Sequence, residues 1–133
     1  RTMRLDDKRY QLGSYVAVKG LGMRTITGMD LEKVFVSNDE GLPWHFVKPV
    51  ELTEELMYKI GFVVIKKIDN PHHLDINMSI KINGRYYYSR GIIFDDKSMW
   101  SFYGAGIKYL HQLQQLIWII EPKYEFNLDS YQG

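Results

Sequence analysis

His73-Leu74-Asp75-Ile76-Asn77-Met78-Ser79-Ile80-Lys81-Ile82, then Asn83-Gly84, then Arg85 to Phe94, is the stretch that decides the fold. Leu74, Ile76, Met78, Ile80 and Ile82 point one way, and His73, Asp75, Asn77, Ser79 and Lys81 point the other. Alternation with period two predicts an antiparallel strand with one buried face. Asn-Gly tolerates the positive φ angles of a two-residue hairpin turn. Arg85 to Phe94 is then the return strand.

The register of this hairpin sets what its tyrosines do. A two-residue turn places Ile82 opposite Arg85, Lys81 opposite Tyr86 and Ser79 opposite Tyr88. One face then carries Asp75, Asn77, Ser79, Lys81, Tyr86, Tyr88 and Arg90. A three-residue turn with a bulge slips the pairing by one residue and puts Tyr86 and Tyr88 with Met78 and Ile80. The slipped register segregates polarity better and makes the tyrosines packing residues. The direct register offers rings and cations, which suit a base and a phosphate.

Working outward, Gly13 to Lys19, Arg24 to Met29 and Lys33 to Ser37 predict a three-strand meander. Ser37 to Pro43 is a polar loop, and Trp44 to Val47 a short strand that Pro49 confines to an edge or an end. Leu52 to Phe62 carries the clearest helix signal, with the helix over Thr53 to Ile60. Thr53 is the N-cap, Glu54 and Glu55 sit at the positive end of the helix dipole, and Leu52 and Met57 form a hydrophobic staple. Gly61 and Phe62 fit the helix exit. Phe62 to Ile68 and Met99 to Tyr103 are strands, and Gly104-Ala105-Gly106 breaks the second. A last helix runs over about 110–120, because Leu110, Leu113, Leu116, Ile117 and Ile120 follow helical spacing. The expected fold is α+β, with a meander-like antiparallel sheet of six to eight strands and two helices.

A length of 133 residues predicts one domain, with a tail from about residue 123 ordered by a partner. Hydrophobic residues make up 45% and charged residues 25%, which excludes disorder. The net charge of +1 argues against duplex nucleic acid or a membrane surface as partner. The absence of cysteine removes disulfides, Cys-ligated zinc, iron–sulfur clusters and a thiol nucleophile. No apolar run approaches the ~20 residues of a membrane span. The N-terminus lacks the apolar core of a signal peptide. Met3 is expected to be the native start, with Arg1-Thr2 added before it.

Chemistry is sparse. His73 and Asp75 share a strand face, but a metal site needs three or four converging ligands. Gly104-Ala105-Gly106 lacks the third glycine and the βαβ setting of a dinucleotide loop. Glu54 and Glu55 diverge on their helix and serve as dipole partners. There is no nucleophile elbow, phosphate loop or zinc-protease motif, so no catalysis, catalytic residue, metal or cofactor is expected. The candidate ligand site is Lys81, Arg85, Tyr86, Tyr88 and Arg90, closed by Trp44 or His111. Tyr109, His111, Gln112, Gln114, Gln115 and Trp118 lie off the core stripe of the last helix, as a protein-contact surface or a solvated face. That face around Trp118 and the aromatic tail residues Tyr124, Phe126 and Tyr131 are the candidate surfaces for a homo-oligomer, most simply a dimer.

Three segments carry a family resemblance. Leu12-Gly13-Ser14-Tyr15-Val16 resembles Leu-x-Ile-Gly-Asn-Tyr-Val. Lys48-Pro49-Val50-Glu51-Leu52-Thr53-Glu54-Glu55-Leu56-Met57-Tyr58-Lys59-Ile60-Gly61-Phe62 resembles Glu-Pro-Ile-Pro-Leu-Thr-Glu-Glu-Trp-Leu-Leu-Lys-Phe-Gly-Phe. Tyr109-Leu110-His111-Gln112-Leu113-Gln114-Gln115-Leu116 resembles Tyr-Val-His-Gln-Leu-Gln-Asn-Leu. Together they are similar to small proteins of Bacteroidetes phages and prophages. Leu56 stands where that family tends to carry Trp, and Trp118 to Pro122 replace its Thr-Gly-Glu ending. The resemblance implies an accessory phage protein in the cytoplasm of the bacterial host. By analogy of setting, it implies counter-defence: sequestration of a small nucleotide immune signal, or occlusion of a host or phage protein.

Overall fold

The computed structural model describes residues 9–37, 41–95 and 97–128. The expected start at Met3, part of the loop after Ser37, and Tyr131 lie outside the described residues. The first sheet holds β1 (Tyr15–Val18), β2 (Gly22–Met29), β3 (Lys33–Val36), β4 (Gly41–Pro43) and β5 (Val47–Pro49) in the order β4-β3-β2-β1-β5. The second holds β6 (Val63–Asp69), β7 (Leu74–Ile82), β8 (Arg85–Phe94), β9 (Lys97–Phe102) and β10 (Ala105–Ile107) in the order β10-β9-β8-β7-β6. Helix α1 (Glu54–Ile60) joins the sheets, and α2 (Leu110–Ile120) follows the second.

The α+β class, the antiparallel meanders and both helices are as the sequence predicts. The strands divide between two sheets of five, and ten form instead of six to eight. The additions are short. Tyr103 and Gly104, at φ 51° and 80°, make a tight turn, so residues 105–107 continue as β10 rather than breaking the sheet. Trp44–Phe46 is a single 3₁₀ turn, and the strand expected there begins at Val47 instead. Its Pro49 sits on the edge strand of the first sheet, where no amide donor is needed.

Helix α1 is built as its residues dictate. The Thr53 hydroxyl accepts from the Leu56 amide at 3.1 Å. At the exit the Phe62 amide donates to the Met57 carbonyl at 3.0 Å and the Gly61 amide to Tyr58 at 3.1 Å. That is the paired reverse bonding of a Schellman ending. Leu56, Met57, Ile60 and Phe62 are thereby sunk into one core with Ile76, Met78, Ile80, Trp100, Phe102, Leu110, Leu113 and Ile117. Val16, Val18, Ile26, Val34 and Val36 form a smaller core in the first sheet.

Helix α2 lies between the two. Leu113 and Ile117 face the main core, while Gln114 is fully buried toward the first sheet. Its Oε1 accepts from the Tyr15 amide at 2.9 Å, and its Nε2 donates to the Gly13 carbonyl at 3.2 Å. Gln115 donates to the Arg9 carbonyl. The Gln112 side chain accepts from the amides of Lys108 and Tyr109, capping the helix start. The glutamine face, expected to meet solvent or a partner protein, is instead largely internal. Ile120, assigned to the core stripe, is 43% exposed.

The tail is held by the chain itself as far as Leu128. Trp118 Nε1 donates to the Tyr124 carbonyl, Tyr124 Oη to Ile60 and Tyr15 Oη to Phe126. The Trp118 ring meets Phe126 edge-on at 5.4 Å. Among the described residues no helix is long and apolar enough to cross a membrane.

Candidate functional site

The hairpin adopts the two-residue turn. Asn83 and Gly84 have φ 52° and 80°, and Ile82 pairs with Arg85, Lys81 with Tyr86 and Ser79 with Tyr88. This overturns the slipped register favoured on polarity. The reason lies in the third strand. Phe102 pairs with Ser89 and Trp100 with Gly91, so the inner face of β8 needs small residues at these two positions. A Cβ on Gly91 would lie 2.4 Å from Cζ3 of Trp100. The inner positions Ser89 and Gly91 admit those two rings, and Tyr86, Tyr88 and Arg90 are turned outward.

The outer face of the second sheet is thereby ordered in rows. Lys81 stands beside Tyr86. Val63, Ser79 and Tyr88 form the next row. Lys66, Asn77, Arg90 and Ser101 form the third, and Ile68, Asp75, Ile92 and Met99 the fourth. Tyr86 is 54% exposed, Tyr88 51% and Tyr103 60%. Lys81 Nζ lies 5.5 Å from the Tyr86 ring centroid, a cation–π distance. Tyr103 Oη donates to the Tyr86 carbonyl at 3.2 Å, and its ring meets that of Tyr88 edge-on at 6.4 Å.

Arg90 binds Asp75 through two bonds, Nε to Oδ1 at 3.1 Å and Nη2 to Oδ2 at 2.6 Å. The Arg90 side chain stays 55% exposed. The Arg90 bond, then the charges of Arg90, His73 and Lys66, hold the Asp75 carboxyl below its ordinary 3.8. His73 itself lies 3.2 Å from the Asn70 amide nitrogen. No three His, Asp or Glu side chains converge on a metal position among the described residues.

The seven candidate site residues do not all meet. Lys81, Tyr86, Tyr88 and Arg90 share the outer face. Arg85 pairs with Ile82 and turns to the inner side, where its charge acts on Tyr87 and Glu121. Trp44 sits in the 3₁₀ turn between β4 and β5, packs against the core of the first sheet, stacks with Tyr10 at 6.2 Å and donates to the Asp30 carbonyl. His111 is fully buried on α2 against Tyr10 and Tyr109. Neither closes the hairpin face, since α2 packs on the opposite side of the sheet. Conversely, Lys66 and Tyr103 were missed. The alternation Met99, Ser101, Tyr103 signalled the second, but its strand had no assigned neighbour.

Grooves among the described residues lie elsewhere. One of about 550 Å³ is lined by Glu54, Glu55, Tyr58, Asp95 and Lys97, among others, and another of about 410 Å³ by Tyr87, Phe102, Tyr103, Leu116, Ile119 and Ile120. A third of about 390 Å³ runs between Trp118 and the tail. Tyr103 borders the second of these grooves, while Tyr86 and Tyr88 line none of the three and stand half exposed on the outer face.

Protonation gives one testable consequence. Asp75 is held low by Arg90, Glu121 by the Tyr87 hydroxyl and then Asn83, and Glu54 by the Tyr58 hydroxyl and then Lys67. Each folded value lies below the unfolded one. The stability they add is therefore complete above the ordinary values of 3.8 and 4.5. It is lost as pH falls through the depressed folded values. Melting temperature is expected to hold near neutrality and to drop below about pH 4. A rise between mildly acidic and strongly acidic buffer would contradict this.

No protein-family model, curated protein or solved structure matches the chain.

Proposed function

We propose that this chain is a non-enzymatic binding protein that takes a nucleotide on the outer face of its second sheet. One observation carries the reading. Tyr86 and Tyr88 stand exposed on one face with Lys81, Lys66 and Arg90, and Tyr103 lies edge-on beside Tyr88. Aromatic faces stack bases, and cations bond phosphate. With the phage resemblance of the Leu12, Lys48 and Tyr109 segments, the role is counter-defence in the bacterial cytoplasm, sequestering a small nucleotide immune signal. A second reading, occlusion of a host or phage protein, has its support at the end of α2. There Ile119 is 74% exposed beside Ile120 and an apolar groove.

Calorimetry against a panel of linear and cyclic nucleotides tests the first reading. Tyr88→Ala is expected to weaken binding about tenfold, toward the lower end of the ~1–3 kcal/mol range for stacking on one base. Its melting temperature should stay nearly unchanged, because the ring is half exposed. Lys81→Glu should abolish detectable binding without unfolding. Heating the complex should release the nucleotide intact. Chemical conversion, or unaltered affinity in both variants, defeats the proposal.

A further inference from the structure

We infer that the ligand of this face is a linear single strand of two or more phosphodiester-linked nucleotides, a conclusion that rests on the nucleotide-binding face proposed above and widens its ligand from a small signal to a strand. Three features point there. The first is shape. A lone nucleotide is held tightly by a concave site that buries most of its surface, whereas Tyr86 and Tyr88 lie on an open sheet outside the described grooves. An open platform gains affinity by repeating a modest contact along a chain.

The second is repetition. Tyr86 and Tyr88 are two residues apart on one strand and one face, so their rings recur at about 7 Å. Tyr103 stands edge-on beside Tyr88, at the border with the groove against α2, and bounds the series on that side. A single strand with its bases unstacked from one another can lay consecutive bases on such a series.

The third is charge. Among the described residues paired across β6, β7 and β8, this face carries Lys66, Lys81 and Arg90 against one carboxylate, Asp75. These cations flank the tyrosines along β8: Lys81 at the Tyr86 end, Arg90 and Lys66 beyond Tyr88. Arg90 spends Nε and Nη2 on Asp75, and its exposed side chain keeps further N–H donors for a phosphate. Stacking and phosphate bonding do not depend on a 2′-hydroxyl, so the platform takes DNA and RNA strands alike and rejects a duplex, whose bases are already stacked.

Fluorescence anisotropy decides it. The probes are labelled oligothymidylates of two and twelve bases, an oligouridylate of twelve, a duplex of the same length and a cyclic dinucleotide. The twelve-base strands should bind at least about tenfold tighter than the two-base strand, with DNA and RNA within a few-fold of each other. The logarithm of affinity should fall against the logarithm of salt with a slope of about −2, for three neutralised phosphates at ~0.7 each. Tyr88→Phe should retain binding and Tyr88→Ala should lose it about tenfold. A cyclic dinucleotide binding as tightly as the longest strand overturns the single-strand inference and leaves the nucleotide reading standing. Failure of every probe, with the protein folded, removes both.

Discussion

Replacing Gln114 by leucine is expected to lower the melting temperature by roughly 10 °C, from a loss of about 2–4 kcal/mol. Leucine matches the volume and suits a helix, so propensity and packing would call the change harmless. The loss comes from the first sheet. The Tyr15 amide and the Gly13 carbonyl are both served by the Gln114 carboxamide, whose residue is fully buried. Leucine leaves both backbone groups without that partner, where water does not readily replace it. Gln115→Leu is the control. It removes one bond to the Arg9 carbonyl at a half-buried position, and should cost under about 1 kcal/mol. Thermal melts of the two variants check the claim. Equal losses would show that Gln114 is a packing residue and that α2 does not tie the sheets together through it.

The second large effect is at Gly91. Gly91→Ala is expected to destabilise by about 3 kcal/mol, the upper end of ordinary overpacking. The added methyl would meet Cζ3, Cε3 and Cη2 of Trp100 at 2.4, 2.6 and 2.7 Å. Trp100 is only 3% exposed and cannot swing aside. Gly106→Ala should be nearly neutral by comparison, since nothing lies within 4 Å of its would-be Cβ. A double-mutant cycle isolates the cause. Trp100→Leu destabilises by itself through lost volume, but in that background the alanine should cost about 1–3 kcal/mol less. Additive losses would mean that Gly91 is needed for backbone reasons, and the account of the hairpin register would fail with them.

That register separates what was legible in the sequence from what was not. Asn83-Gly84 announced the turn, and the alternation from Leu74 to Ile82 announced the strand, because both are local properties of two to ten residues. Polarity on β8 alone then favoured the wrong face for Tyr86 and Tyr88. The deciding residues, Trp100 and Phe102, lie more than ten positions away and act through a third strand. Four of the seven candidate site residues were legible on the same terms. Lys81, Tyr86, Tyr88 and Arg90 share one hairpin, so their neighbourhood follows from pairing. Trp44 and His111 were joined to them without a physical link, and they sit in other layers.

The sequence by itself determined the elements whose cause is local: α1 with its Thr53 cap and Gly61-Phe62 exit, the β7–β8 hairpin, and α2 from its helical spacing. It also determined the α+β class, because the period of the apolar residues alternates between two and 3.6 along the chain. Only the tertiary structure decided that the strands divide into two sheets and that the glutamines of α2 point inward. A glutamine is polar in any window of sequence. It becomes interior when two backbone groups from residues about a hundred positions earlier need its carboxamide. The outward tyrosine face has the same origin. Small residues, Ser89 and Gly91, are sent inward because Phe102 and Trp100 must fit there, and the large polar ring follows the opposite parity into solvent.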